Sequence, residues 1–445
     1  AEAPARLHGP LQIHCTARLQ AAEIGEAQRL LEKIELHSIR APGHDGEAAA
    51  VHGDAFAHTE FTGKAHALQR EPAALCGGRE LRHAPGAFDN TRKHTRTSRQ
   101  PPRAATAFQL RHPLARPRRL PHCLSSSMHI LVTGGCGFIG SHFIRKCLQE
   151  NPALEITNLD LLTYAGSPEN LRDVAADCAA RYHFVQGDIA DEALVASLFS
   201  RQDFTAVVNF AAESFVDRSI AQPRPFAHSN VTGASVMLEA ARAAGIRLVQ
   251  ISTDEVYGSL GETGLFTEST PLSPRSPYSA SKAAADLLAL ANHHTFGQDV
   301  IILRCSNNYG THQHPEKLIP RMILCALRNE PLPLYGDGLH VRDWIHVTDH
   351  CAAIQLALTR GVSGEVYNIG ASTERRNIAI LRAILHHLGK PESLIHHVAD
   401  RPGHDRRYAI DSTKARRALG WQPQREFTTA LAETIDWFTA HHQPT

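Results

Sequence analysis

The stretch HILVTGGCGFIG, residues 129–140, decides the fold. A short strand-like run, HILVT, breaks into glycines, and a helix-compatible segment, SHFIRKCLQE, follows at once. Gly134, Gly137 and Gly140 have the spacing G-x-x-G-x-x-G. Glycines at those places let a strand turn tightly into a helix and let the backbone come close to a pyrophosphate. The helix N-terminus adds free N–H groups and a partial positive charge. Asp160 ends the next apolar run, 20 residues beyond Gly140. A carboxylate there accepts hydrogen bonds from an adenosine ribose and repels a 2′-phosphate. Strand, loop, helix and acid at these intervals predict a dinucleotide site that takes NAD in preference to NADP.

Outward from this loop the chain alternates. EITNLD (155–160), YHFVQGD (182–188), TAVVNF (205–210), RLVQIS (247–252) and DVIILR (299–304) read as further strands, with helical stretches such as ASVMLEAARAAG (234–245) between them. Strands that are nearly continuous apolar runs, spaced by helices, indicate a parallel sheet covered on both faces. The expected class is α/β, a Rossmann doubly wound parallel sheet over 128–305. From about residue 306 the alternation fades into loops rich in Gly, Pro and charge, as expected of a smaller C-terminal domain, mainly 306–445, that closes over a substrate.

Residues 1–127 differ in kind. They carry 18 Lys and Arg against 12 Asp and Glu, whereas the remaining residues carry 28 against 33. They contain four Phe but no Tyr, Trp or Met, and residues 90–127 hold nine basic residues and no acid. One weakly periodic patch, AAEIGEAQRLLEKIEL (21–36), suits a single amphipathic helix. The rest has too few large apolar side chains to offset chain entropy. The segment reads as a basic arm for an anionic partner, as a disordered extension, or as sequence upstream of a natural start at Met128, the first methionine. The last is the expectation.

The whole chain has a formal net charge of +1 and 42% hydrophobic residues. Near-neutral charge argues against nucleic-acid binding as the main role. No apolar run approaches 18 residues, so no membrane span is expected. Nine scattered cysteines without a C-x-x-C pair point to free thiols in a reducing compartment, the cytoplasm. Histidine pairs at 293–294, 386–387, 396–397 and 441–442 lack the spacing of metal ligands, so no metal is expected.

Two further motifs carry chemistry. In Tyr278-Ser-Ala-Ser-Lys282, Ser276 and Pro277 suit an N-cap and first helical position, and Tyr and Lys at i and i+4 share a helix face. An ammonium near a phenol favours the phenolate, which then removes a proton from a sugar hydroxyl. Thr253, Asp254 and Glu255 end a predicted strand, at the edge where open parallel sheets bind ligands. Two adjacent carboxyls there can be driven to different pKa values, one an acid and the other a base. Arg342, Arg401, Arg406 and Arg407 offer forks suited to a diphosphate.

The blocks TGGCGFIG, FAAESFVDRSI, STDEVYG, YSASK, RCSNNYG, PEKLIP, VRDWIHVTDH and DRPGHDRRYAID occur in this order between Met128 and Pro423. Together they resemble the dTDP-glucose 4,6-dehydratases, of the extended short-chain dehydrogenase/reductase family. The resemblance implies NAD held by Gly134, Gly137, Phe138, Ile139 and Gly140, by Asp160, Leu161, Leu162 and Thr163, and by Asp188 and Ile189. Phe210, Ala211, Ala212, Ser214, Tyr278, Lys282 and Asn308 complete that set. It implies dTDP-glucose held by a sugar-nucleotide-binding C-terminal domain, through Ser214, Thr253, Asn307, Lys317, Leu318, Pro333, Leu334, Tyr335, Arg342, Arg401, His404 and Asp405. The implied course is C4 oxidation with Tyr278 as base and Lys282 as its partner. Loss of water across C5 and C6, by Glu255 and Asp254, comes next, and reduction at C6 ends it. Thr253 would bond the 4-hydroxyl region.

Family members are usually homodimers paired through two helices per subunit, matched here by FAHSNVTGASVMLEAARAAG (226–245) and YSASKAAADLLALANHH (278–294). Phe215, Ser229, Thr311, His312, His314, His340 and Thr373 depart from the pattern, which bears on substrate preference more than on reaction type. A UDP-sugar dehydratase, an epimerase or a decarboxylase of the same superfamily, and a binding-only scaffold, remain as alternatives. Of these only the dehydratase needs the Asp254–Glu255 pair for loss of water. A chain shortened to begin at Met128 is expected to fold and to keep full activity. Loss of activity in that variant would show that residues 1–127 contribute to the site, and peptides from 1–127 in the source cells would rule out the start at Met128.

Overall fold

Strand β1 (Met128–Thr133) has alternate residues buried on opposite sides, and this pattern sets the layers. The computed structural model describes residues 128–442. The expectations for 1–127 lie outside the described residues.

After β1 come α1 (Phe138–Glu150), β2 (Leu154–Asp160), β3 (Tyr182–Gln186), α2 (Glu192–Arg201), β4 (Ala206–Asn209), α3 (Ala234–Ala244) and β5 (Arg247–Thr253). Next are α4 (Pro277–Phe296), β6 (Val300–Cys305), β7 (Asn307–Tyr309), α5 (Leu318–Leu327), β8 (Leu332–Tyr335), β9 (Val341–His346) and α6 (Val347–Arg360). The chain closes with β10 (Val366–Ile369), β11 (Glu374–Arg376), α7 (Asn377–His387), β12 (Ile395–Val398) and α8 (Phe427–His441).

Among the described residues, seven strands form one sheet in the order β3-β2-β1-β4-β5-β6-β10. Every neighbouring pair in it is parallel. Ile130, Val132, Ile156, Val208, Val249 and Leu303 point to one face, where α1 and α6 bring Phe143, Ile144, Leu148, Ile354 and Leu358. Leu131, Leu159, Val207, Leu248 and Ile302 point to the other, against Val195 and Leu198 of α2 and Met237, Leu238 and Ala241 of α3. The period-two pleat thus supplies two apolar layers from one set of strands.

A second body has its own core. Ile319, Ile323, Leu334, Trp344, Leu381, Ile384, Leu431 and Phe438 join α5, β8, β9, α7 and α8. The sheet β11-β9-β7 and the pair β12-β8 lie in it. Residues after 306 are shared between the bodies. They build the second, but α6 and β10 return to the first, with Val366 opposite Ile302. At four residues, β10 is too short to stand out as an apolar run.

Helix α4 starts as its sequence demands. The Ser276 hydroxyl accepts the Ser279 N–H at 3.1 Å, Pro277 follows, and Gly297 closes the helix at φ +68°. At the loop after β1, Gly134 has φ +69°, and a Cβ there would lie 2.6 Å from the Ala211 nitrogen. A Cβ on Gly140 would lie 2.5 Å from the Gly134 carbonyl oxygen. Strained backbone of this kind costs about 1–3 kcal/mol for a non-glycine residue. Gly134→Ala is expected to lose at least that much in urea unfolding, and a loss of only a few tenths of a kcal/mol would refute the close-approach argument.

Candidate active site

Because the strands of the first sheet are parallel, β1, β2, β5 and β6 all end at one edge. There Gly134, Asp160, Thr253 and Cys305 meet around a single cavity. Every residue expected to hold the cofactor lines it except Leu162. Leu162 has φ +56° and packs on the core. Its N–H donates to the Asp160 carboxylate at 2.8 Å, and the Cys136 N–H donates to the other oxygen at 2.8 Å. The acid is thereby fixed at the strand end, and burial pushes its pKa up against these two bonds. Asp188 is held by the Ala190 N–H and lies 2.8 Å from His228 Nε2, a partner that sequence did not indicate.

Thr253, Glu255, Tyr278 and Lys282 line the same cavity. Asp254 does not. It is 1% exposed, its Oδ1 accepts the Thr253 hydroxyl at 3.3 Å, and its buried Oδ2 has no hydrogen-bond partner among the described residues. Burial raises its pKa well above the ordinary carboxylate range, and the facing Glu255 and Asp343 raise it further. Burial and the facing carboxyls thus favour the protonated form of Asp254. Glu255 is also pushed up by burial, but Arg401, Arg342 and Lys317 pull it back, as does the Ser279 hydroxyl, which donates to its Oε2 at 3.2 Å. The two adjacent acids are thus driven apart by different neighbours, as expected of an acid and a base.

Tyr278 departs from expectation. Its pKa is raised well above 10, by burial first and then by Glu255, Cys305 and Asp254. The Lys282 ammonium donates instead to the Ile251 carbonyl at 2.6 Å. Desolvation and the facing acidic groups set the phenol in this arrangement.

A second cavity adjoins the first and shares Ser214, Glu255, Asn307 and Lys317 with it. Leu318, Pro333, Leu334, Tyr335, Arg342, Arg401 and His404 line it as expected. Asp405 does not. Its carboxylate accepts from Arg275 and from the Tyr408 hydroxyl, and its carbonyl takes Arg342 Nη2 at 2.9 Å, so it braces an arginine from behind. Arg406 and Arg407 also leave the cavity. They form two-point ion pairs with Asp337 and Glu374.

The structure adds residues that sequence did not single out. Asp217 accepts from the Tyr335 hydroxyl at 3.1 Å and from Arg401 at 3.3 Å. Trp344, Asn377 and Tyr408 join the wall. Asp217 and Ser279 lie inside quoted blocks, which was the available signal. Asn377 carried none. His340 and His404 stack at 3.7 Å between ring centres, and both face Asp400. Their ligand atoms lie within 4.8 Å of one another, a grouping that spans residues 340–404 and has no local spacing to announce it.

Comparison with known proteins agrees with this geometry. Residues 131–434 match the family model described as GDP-mannose 4,6 dehydratase. A dTDP-glucose 4,6-dehydratase of Xanthomonas campestris pv. campestris (strain B100) is 50% identical over 327 residues, covering 69% of this chain and 92% of the relative. The crystal structure of DesIV, a dTDP-glucose 4,6-dehydratase from Streptomyces venezuelae with NAD bound, is 50% identical, with a TM-score of 0.68 over 71% of this chain and 98% of that one. A UDP-glucose 4-epimerase from Thermotoga maritima is 28% identical, with a TM-score of 0.66 over 71% of this chain and 99% of that one. Matched along both bodies and half identical to relatives over nearly their whole length, the chain belongs to the dTDP-glucose 4,6-dehydratase family of extended short-chain dehydrogenase/reductases.

Proposed function

We propose that this protein converts dTDP-glucose to dTDP-4-keto-6-deoxyglucose and water, with NAD as cofactor. The observation that carries the reading is the pair Asp254–Glu255 beside Tyr278, the first buried against other carboxyls, which raises its pKa, and the second facing Arg401, Arg342 and Lys317. An epimerase of the same fold has no step that calls for this pair.

The first cavity fits NAD. A Cβ on Gly134 or Gly140 would strike the backbone of Ala211 or of Gly134 and spoil the tight loop, the α1 N-terminus opens onto the cavity, and Asp160 stands at the end of β2. Phe138, Ile139, Leu161, Thr163, Asp188, Ile189, Phe210, Ala211, Ala212, Ser214 and Asn308 complete the wall. Bound there, NAD supplies the acceptor for hydride from C4 and the donor for its return to C6.

The chain's own groups move the protons. Tyr278 Oη, as the phenolate, takes the proton of the 4-hydroxyl, with Lys282 as its cationic partner one helical turn on. The C4 ketone so formed acidifies the C5 hydrogen. Glu255 removes that proton, and Asp254 gives its own to the departing 6-hydroxyl, so water leaves. Glu255 returns its proton to C5 at the end. Arg342 and Arg401, with Lys317, give the second cavity the positive charge that a nucleoside diphosphate needs.

The same reading makes the protein a homodimer paired through α3 and α4. Leu287 and Phe296 of α4 are 57% and 49% exposed, an apolar surface that a partner would cover. It works in the cytoplasm, in keeping with the six cysteines of the described residues, all free. No helix of the described residues is long and apolar enough to cross a membrane.

Incubation with dTDP-glucose is expected to give the alkali-induced absorbance of a 4-keto-6-deoxy sugar. Glu255→Gln should accumulate NADH absorbance and release no product, because the ketone forms before either carboxyl acts. Tyr278→Phe should give neither. Full turnover by Glu255→Gln would remove Glu255 as the base, and UDP-glucose 4-epimerisation without dehydration would overturn the reading. Leu287→Glu is expected to shift the sedimenting species to the monomer. An unchanged dimer would place the interface elsewhere.

A further inference from the structure

Beneath the catalytic helix lies a charged layer that the reaction itself does not use. Asp286 is one turn beyond Lys282 on α4 and is fully buried. Its Oδ2 accepts Arg304 Nε at 2.8 Å, and its buried Oδ1 has no hydrogen-bond partner among the described residues. Arg304, on β6, sits directly across the ladder from Ser252 on β5, whose buried hydroxyl acts on the Asp286 carboxyl. Arg304 Nη1 donates to the Tyr257 hydroxyl at 2.9 Å, which in turn donates to Asn368 on β10 at 2.8 Å. The guanidinium is therefore held from two sides, by Asp286 on α4 and by Tyr257 just after β5.

We propose that Asp286, clamped by Arg304, is a positioning residue that keeps the Lys282 ammonium charged and in place under Tyr278. The argument is one of charge balance, and it rests on the reading of Lys282 as the partner of Tyr278. An Arg304–Asp286 pair alone is neutral and contributes little to stability once desolvation is counted. Lys282 is a third buried charge, 4% exposed, and its Nζ bonds to the Ile251 carbonyl. A buried ammonium without an anion gives up its proton, and burial does lower the pKa of Lys282.

Two groups act on Lys282 against that loss, Asp286 on its own helix and Cys305 on β6. The Cys305 thiol is pushed up to about 12 by burial and by Asp254, so it is uncharged at neutral pH. That leaves Asp286, whose carboxyl forms the 2.8 Å ion pair with Arg304 one turn along the helix from Lys282. Burial raises the pKa of this carboxyl, and Arg304, Ser252 and Lys282 draw it back. Tyr278 itself faces Glu255, Cys305, Asp254 and Tyr164, none of them cationic, and Lys282 stands one helical turn away on the same face of α4.

The test reads Lys282 directly. With lysine labelled by 13C at Cε, the Lys282 resonance is the one missing from Lys282→Arg, and its pKa is followed by NMR in the full-length protein. Asp286→Asn is expected to lower that pKa by about one unit, a tenfold change in the protonation equilibrium. The alkaline limb of the turnover–pH profile should move to lower pH with it, and Asp286→Glu should restore most of both. Because Asp286→Asn strands Arg304, the double variant Asp286→Asn/Arg304→Gln is measured beside it. A merely structural pair predicts that the double variant recovers the wild-type pKa and profile, whereas the positioning role predicts that both stay displaced. An unchanged Lys282 pKa in either folded variant overturns the proposal. Absence of turnover on dTDP-glucose in the wild type would overturn the functional reading instead, and the NMR arm would still decide the role of Asp286.

Discussion

The site depends on β1 lying between β2 and β4, with parallel hydrogen bonding on both sides. That pairing puts the ends of β1, β2 and β4 at one edge and lets the loop at Gly134 pass against the Ala211 backbone. Displacing that contact would separate the glycine cradle from Phe210, Ala211 and Ala212, which form the opposite wall of the same cavity. The position is buried on both faces, so apolar side chains from α1 and α6 on one side and α2 and α3 on the other hold it rigidly.

Burial then does electrostatic work. It raises the pKa of Asp254, Glu255 and Tyr278 alike and lowers those of Lys282, Lys317 and Arg342. What separates these groups is which opposite charge faces each one. Glu255 has three cations nearby, and Asp254 has carboxyls as well as Arg342. The second body supplies the arginines, from β9 and from the segment near Arg401, so the carboxyls acquire different characters through contact with a domain built largely after residue 306.

Much of this was legible beforehand, for a physical reason. The strands ending in Thr133, Asp160, Thr253 and Cys305 are apolar on both faces because they are central, and such runs are visible without knowledge of their neighbours. Caps and glycine turns are local too, which is why Ser276, Pro277 and Gly134 could be placed. The misses share the opposite property. Leu162 was placed by its neighbours in sequence, yet its backbone turns left-handed and its side chain leaves the cavity. Asp405 sits within a block of site residues but braces Arg342 through its carbonyl. The strand β10 is short and belongs to a sheet begun some 230 residues earlier.

Sequence by itself determined the kind of fold, a dinucleotide fold from one glycine loop and its acid, and singled out Tyr278, Lys282, Asp254 and Glu255, which the fold gathers at one sheet edge. These signals survive because each is a spacing along one helix, strand or turn. Only the tertiary structure decided how those groups are charged and braced. It buried Asp254 behind the cavity wall, aimed Lys282 at a carbonyl, set Asp286 and Arg304 beneath it and stacked His340 on His404. Those outcomes depend on distances between residues far apart in the chain and on the exclusion of water, neither of which a linear pattern encodes.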